Sequence, residues 1–180
     1  MTASTRQTPA RLSLNGRVLV MGVAGCGKST LAAALAQALG ATLIEGDDHH
    51  PPASRAKMHR GEPLDDADRA PWLDRLGVLM AASQQAGPAA VVLACSALKR
   101  AHRDRLRAAV PGLRTVYVEI DLALALARVA ARAGHFFPPA LVASQFDALE
   151  PPQAEAQVLT LRAEQPLAAQ LRDALCWLAH

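Results

Sequence analysis

The chain has 180 residues, 51% of them hydrophobic and 19% charged, which suits one domain with a sizeable core. A formal net charge of +3, only 3% aromatic residues and no run of five like charges exclude a nucleic-acid surface built from basic patches and stacking rings. Three widely spaced cysteines (Cys26, Cys95, Cys176) exclude a disulfide framework or zinc site and suit reduced thiols in the cytoplasm, and every apolar run is too short for a membrane span.

Residues 1–16 contain Ser, Thr and Arg but no acid, and they lack the apolar centre of a secretory signal. They read as a flexible tail ahead of a single domain over residues 17–180. Residues 17–21 are rich in β-branched side chains and predict a buried strand. A Gly-rich turn follows, then an Ala/Leu-rich helix over 29–39 with Gly40 at its C-cap position. Residues 41–44 predict a second strand, which runs into the acidic cluster Glu45-Gly46-Asp47-Asp48. Residues 49–70 are polar and interrupted by Pro and Gly, so they read as loops and short helices outside the sheet. A helix is predicted over 71–85 with Pro71 in its first turn.

Residues 89–95 predict the third and most apolar strand, and 97–109 a helix rich in Lys and Arg. A fourth strand is predicted at 113–120. Asp121 then caps a helix running through Arg132. Gly134 to Pro139 break the pattern, 141–149 is helical, 157–161 is a fifth strand and 166–178 a closing helix. Strands alternating with helices imply an α/β fold with a five-stranded parallel sheet flanked by helices on both faces. The segments 48–80 and 128–150 read as insertions over the carboxyl ends of the strands, the edge where such sheets bind ligands.

The residues Gly22-Val23-Ala24-Gly25-Cys26-Gly27-Lys28-Ser29 match G-x-x-x-x-G-K-[ST] at every fixed position. They also lie where that pattern has meaning, after a strand and opening a helix. Backbone N–H groups and the helix N-terminus would cradle phosphates, Lys28 would reach the β- and γ-phosphates, and Ser29 would place its hydroxyl on Mg²⁺. ATP and Mg²⁺ are therefore the expected cofactors, with Thr30 completing the binding segment. Cys26 reads as a small filler between glycines.

A kinase needs a carboxylate near the acceptor hydroxyl to orient it and take its proton. Asp47, just past the second strand, is the candidate, with Glu45 and Asp48 as alternatives. His50 is placed to hydrogen-bond substrate or loop. No Walker-B aspartate follows the third strand, where Cys95-Ser96 stands, so Mg²⁺ would rest mainly on Ser29, phosphates and water, with Asp47 as an added ligand. Arg128 and Arg132, four apart, share one helix face before the Gly134 break, the arrangement of a lid that brings cations over transferring phosphate.

Several segments resemble the gluconate kinase family. They are Gly46-Asp47 with His50-Pro51, Lys57-Met58, Gly61-Glu62-Pro63-Leu64, Asp66-x-Asp68-Arg69 with Pro71-Trp72-Leu73, Cys95-Ser96-Ala97-Leu98-Lys99, Arg103-Asp104, Gly134-His135-Phe136-Phe137, Ser144-Gln145-Phe146, Leu149-Glu150-Pro151 and Gln165-Pro166. The resemblance spans residues 17–166. It implies ATP-dependent phosphorylation of D-gluconate at its terminal hydroxyl, a P-loop fold of the nucleoside-monophosphate-kinase type with a mobile lid, and a homodimer. It implies nucleotide contacts at Arg128, Arg132, Gln165 and Pro166. It also implies substrate contacts at Asp47, His50, Lys57, Arg69, Ser96, Lys99, Arg103, His135 and Gln145, with catalysis resting on Lys28, Asp47 and Arg132. Three positions depart from the family pattern: Glu45 stands where Asp is usual, Ser54 where Asn is usual, and Pro52 adds a second proline.

Gluconate is an anion with many hydroxyls, so its pocket should offer a cation in a bidentate pose. That geometry favours Arg69 and Arg103 over Lys57 and Lys99. Two other readings stand beside this one: a P-loop kinase of another small hydroxy acid such as shikimate, or a nucleotide-dependent switch that phosphorylates no metabolite.

Overall fold

The computed structural model describes residues 16–82, 90–131 and 138–180. Residues 1–15 of the expected N-terminal tail, Arg132 and His135 lie outside the described residues. Five strands, β1 (Arg17–Met21), β2 (Thr42–Glu45), β3 (Val91–Ala94), β4 (Arg114–Glu119) and β5 (Val158–Arg162), form one sheet in the order β2-β3-β1-β4-β5. Every pairing is parallel. Seven helices are described: α1 (Lys28–Leu39), α2 (Pro52–His59), α3 (Asp66–Ala82), α4 (Arg100–Ala109), α5 (Leu122–Ala130), α6 (Pro139–Asp147) and α7 (Leu167–Leu178).

Alternation along the strands builds a core on each face of the sheet. Val18 and Val20 of β1 point to one side, where α1, α6 and α7 pack through Leu31, Leu35, Val142, Ala174 and Leu178. Leu19 and Met21 point to the other, against Trp72, Leu76 and Met80 of α3 and Leu106 of α4. The strands therefore end together, and the loops after β1, β2 and β3 open at one edge. Among the described residues no helix is long and apolar enough to cross a membrane.

Two boundaries differ from expectation for identifiable reasons. Helix α3 starts at Asp66, and Pro71 lies inside it. Asp68 N donates to Asp65 Oδ1 at 2.8 Å and Asp65 N donates to Asp68 Oδ2 at 3.2 Å. This reciprocal cap, in the manner of a capping box, starts the helix before the proline signal applies. Helix α4 starts at Arg100 because residues 95–99 form a tight connection in which the buried Ala97 adopts φ +41°. A non-glycine residue held there is strained, and such conformations gather at functional loops.

Candidate active site

The phosphate loop connects β1 to α1. Gly27 is the N-cap of α1 at φ +96°, and a Cβ there would meet nothing within 4 Å. Backbone conformation, and not space, thus demands glycine at this position. No side chain caps the helix and no acid lies in its first turn, so the first N–H groups of α1 have no side-chain competitor for an anion. Cys26 is buried, and that burial pushes its thiol pKa up; it packs beneath the loop and stays protonated. Thr30 is exposed in the first turn of α1.

The acidic cluster reaches this loop through Gly46. A Cβ on Gly46 would stand 2.7 Å from the Ala94 carbonyl oxygen, so only glycine lets the chain after β2 lie against the end of β3. Trp72 Nε1 donates to the Gly46 carbonyl at 2.8 Å and pins that approach from α3. Residues 46–49 form a 3₁₀ turn with Asp47 exposed on it. Burial works against the Lys28 ammonium, yet its pKa lies above the ordinary value because Asp47, and more weakly Glu45, favour the charge. The loop lysine and the candidate base therefore share one electrostatic site.

Glu45 supplies what the end of β3 lacks. Burial raises its carboxyl pKa, against the opposing effect of the nearby Ser29 hydroxyl. Its Oε1 is buried without a partner. An unpartnered carboxylate oxygen beside the hydroxyl of the loop serine is a hard-oxygen donor set of the kind Mg²⁺ takes, so the residues present fit that cation.

His50 is only 6% exposed and stacks on Trp72 with ring centroids 4.0 Å apart. Burial lowers its pKa to about 4, despite the opposing charge of Asp47, so the imidazole is neutral at ordinary pH. Its Nδ1 is buried with no partner. Ser96 is buried just beyond β3.

The candidate cations divide sharply. Arg69, half-buried, donates Nε to the Leu64 carbonyl at 3.3 Å and makes no ion pair among the described residues. Burial disfavours its charge, which the nearby Asp66 and Asp47 support. Lys57 pairs with Asp68 at 2.7 Å, and Lys99 with Asp66 at 2.8 Å. Arg103, expected beside the substrate, is turned into the interior and is 1% exposed. It donates to the carbonyls of Ala97, Leu98 and Glu150 at 2.8–2.9 Å and to Glu155. All its nitrogens are committed to protein, which corrects the expectation of a substrate cation: Arg103 shapes the 95–99 connection from beneath. A signal was present, because Arg103 is spaced three and seven residues from the buried Leu106 and Val110, on the core-facing stripe of α4.

Of the residues expected at the nucleotide, Arg128 donates to the Ala163 carbonyl at 2.9 Å and to the Gly25 carbonyl at 3.4 Å. Gln165 accepts from Arg162 N at 3.1 Å, and Pro166 is the N-cap of α7. Gln145, expected near the substrate, directs its Oε1 to the Ala24 N–H of the phosphate loop at 2.7 Å. Arg132 and His135 lie outside the described residues, so the structure adds nothing to their expected roles.

Comparison with known proteins shows the family and the fold. The family model described as AAA domain matches residues 18–152. The thermosensitive gluconokinase of Escherichia coli K12 is 42% identical over 139 residues, covering 77% of this chain and 74% of that protein. The crystal structure of a gluconokinase from Sinorhizobium meliloti 1021 superposes with a TM-score of 0.83 at 42% identity, covering 92% of this chain and 93% of that one. A shikimate kinase from Aquifex aeolicus, 16% identical with a TM-score of 0.56 and covering 91% of this chain and 96% of that one, shares the fold alone.

Proposed function

The chain belongs to the gluconokinase family of P-loop kinases, and from that premise we propose that it transfers the γ-phosphoryl group of ATP to the terminal hydroxyl of D-gluconate, giving 6-phospho-D-gluconate and ADP. The observation that carries the reading is the placement of Asp47 in the electrostatic field of Lys28 at one edge of the sheet. A phosphate donor bound by the loop and an acceptor hydroxyl beside Asp47 would then face each other.

The transfer divides among the chain's own residues. The N–H groups of the loop and of the α1 N-terminus hold the phosphates, and Lys28 balances the charge that spreads over the γ-phosphate oxygens. Asp47 accepts the proton of the acceptor hydroxyl as its oxygen bonds to phosphorus and the bond to the ADP oxygen breaks. Ser29 and Glu45 are the residues that would hold Mg²⁺, which supplies further charge neutralisation when bound. Arg69, without an ion-pair partner among the described residues, is the cation for the gluconate carboxylate. The neutral His50 is a hydrogen-bonding partner for a substrate hydroxyl. Lys57, Lys99 and Ser96 are assigned to the same substrate site, and the two lysines would have to leave their aspartates to reach the ligand. Segment 48–80 is assigned to substrate binding; of the expected lid segment 128–150, α6 packs on the core through Leu141 and Val142 and Arg128 is anchored on the Ala163 carbonyl, which leaves Arg132 and His135 as the residues assigned to the lid. A cytoplasmic enzyme of sugar-acid catabolism, working as a homodimer, completes the proposal; the three cysteines are free thiols.

A coupled ADP-release assay against D-gluconate, other aldonic acids, shikimate, glucose and nucleoside monophosphates tests it. Selective turnover of D-gluconate is the expected result. Selective turnover of another acid would reassign the pocket, and ATP binding without turnover of any acceptor would overturn the kinase reading.

A further inference from the structure

We propose that Gln145 is a positioning residue of the phosphate loop: from α6 its side-chain carbonyl fixes the Ala24 peptide, and together with Arg128 it fastens the crown of the loop to α5 and α6. This inference rests on the nucleotide site of the proposed function and not on the identity of the acceptor.

The contact joins residues 121 positions apart, with Gln145 Oε1 accepting from Ala24 N at 2.7 Å in a partly buried setting. Ala24 belongs to no helix or strand, so its N–H has no ladder to join. A partly buried donor in that position needs an acceptor from elsewhere, and leaving it unmet is unfavourable. Gln145 can serve because α6 is firmly seated. Leu141 and Val142 are buried, Phe146 packs against the same core, and Ser144 Oγ donates back to the Leu141 carbonyl at 3.0 Å.

The next residue is held from the other helix. Arg128 of α5 donates Nη1 to the Gly25 carbonyl at 3.4 Å while its Nη2 is anchored on Ala163 at 2.9 Å. A Cβ on Gly25 would stand 2.8 Å from the Ala125 carbonyl, so α5 also lies directly against the crown. Two successive residues, one by its donor and one by its acceptor, are thus held by neighbouring helices. A loop shaped before the ligand arrives spends less of its binding free energy on ordering itself. The ligand that benefits is a nucleoside di- or triphosphate, whose phosphates the curl of this loop would hold. In this arrangement the carboxamide faces the loop, and the acceptor pocket has no claim on its oxygen.

The test is a nucleotide titration without any acceptor, in wild type and in Gln145→Met, which keeps length and volume but has no acceptor oxygen. The expected result is roughly tenfold weaker ATP and ADP binding, the size of one hydrogen bond to a partly buried donor. The acceptor KM at saturating ATP should change less than about twofold, and the thermal midpoint should stay near wild type. In wild-type protein, amide exchange read by NMR should find the Ala24 N–H protected, a readout that survives if the variant folds poorly. Unchanged nucleotide affinity with a raised acceptor KM, or a freely exchanging Ala24 amide, would overturn the proposal. Because the titration uses no acceptor, either result leaves the gluconate assignment to be judged by its own assay.

Discussion

The nucleotide side and the acceptor side of this cleft are built on different principles. The nucleotide side is a continuous stretch, residues 22–29, whose donors are mostly backbone N–H groups aimed by a turn and a helix start. The acceptor side draws on β2, the 3₁₀ turn, α3 and the 95–99 connection, and its groups are side chains. Several of those side chains are already paired: Lys57 with Asp68, Lys99 with Asp66, and Arg103 with Glu155. Backbone recognition of phosphate tolerates varied side chains, whereas recognition of a hydroxylated anion depends on which charges are left unpaired. In this protein Arg69 is an acceptor-side arginine without an ion pair among the described residues, and the buried Arg103, expected as a substrate cation, is committed to the 95–99 connection and Glu155.

The largest effect should come from the loop. Lys28→Ala is expected to lower kcat by about 10²-fold or more, the scale of removing one preorganised charge from a transition state, with the circular dichroism spectrum unchanged. Near-normal turnover would break the division at its nucleotide side. Arg103→Met should act on stability instead. It leaves three carbonyls and Glu155 short of donors, and removing one partner of a buried pair costs about 3–5 kcal/mol. For a chain of this size that is a fall of roughly 10 °C in thermal midpoint. A raised gluconate KM at an unchanged midpoint would return Arg103 to the substrate.

A smaller effect concerns His50. In the folded protein it stays neutral down to about 4, whereas in the unfolded chain it titrates near its ordinary 6.5. Between those values the unfolded chain takes up a proton that the folded chain does not, so stability falls as pH drops through that window and levels off below it. In His50→Gln that contribution is absent. Urea midpoints measured from pH 7 to pH 4 should therefore decline more steeply for wild type than for the variant, and parallel curves would contradict the buried, neutral imidazole.

Much of the architecture was legible because alternating apolar strands and helices leave few other arrangements, and all five strands lie where the pattern puts them. The boundaries at Asp66 and Arg100 were not, since an Asp65–Asp68 cap and a left-handed Ala97 depend on local geometry that competes with the proline and periodicity signals. The phosphate loop was legible because its chemistry is contiguous. The nearness of Ser29 to Glu45, the influence of Asp47 on Lys28, and the contact of Gln145 with Ala24 each join distant residues through packing. No spacing in the chain announces them. The Arg103 expectation failed for a related reason: residue type says that an arginine carries charge, and only its place on the helix stripe says that it is buried.

The central claim is that the loop holds the donor while Asp47 serves the acceptor. The most direct test is Asp47→Asn, measured for kcat with D-gluconate and, separately, for ATP affinity without acceptor. The account predicts a loss of kcat on the order of 10²-fold or more with ATP affinity within about threefold of wild type. Unchanged turnover, or a loss confined to ATP binding, would contradict it.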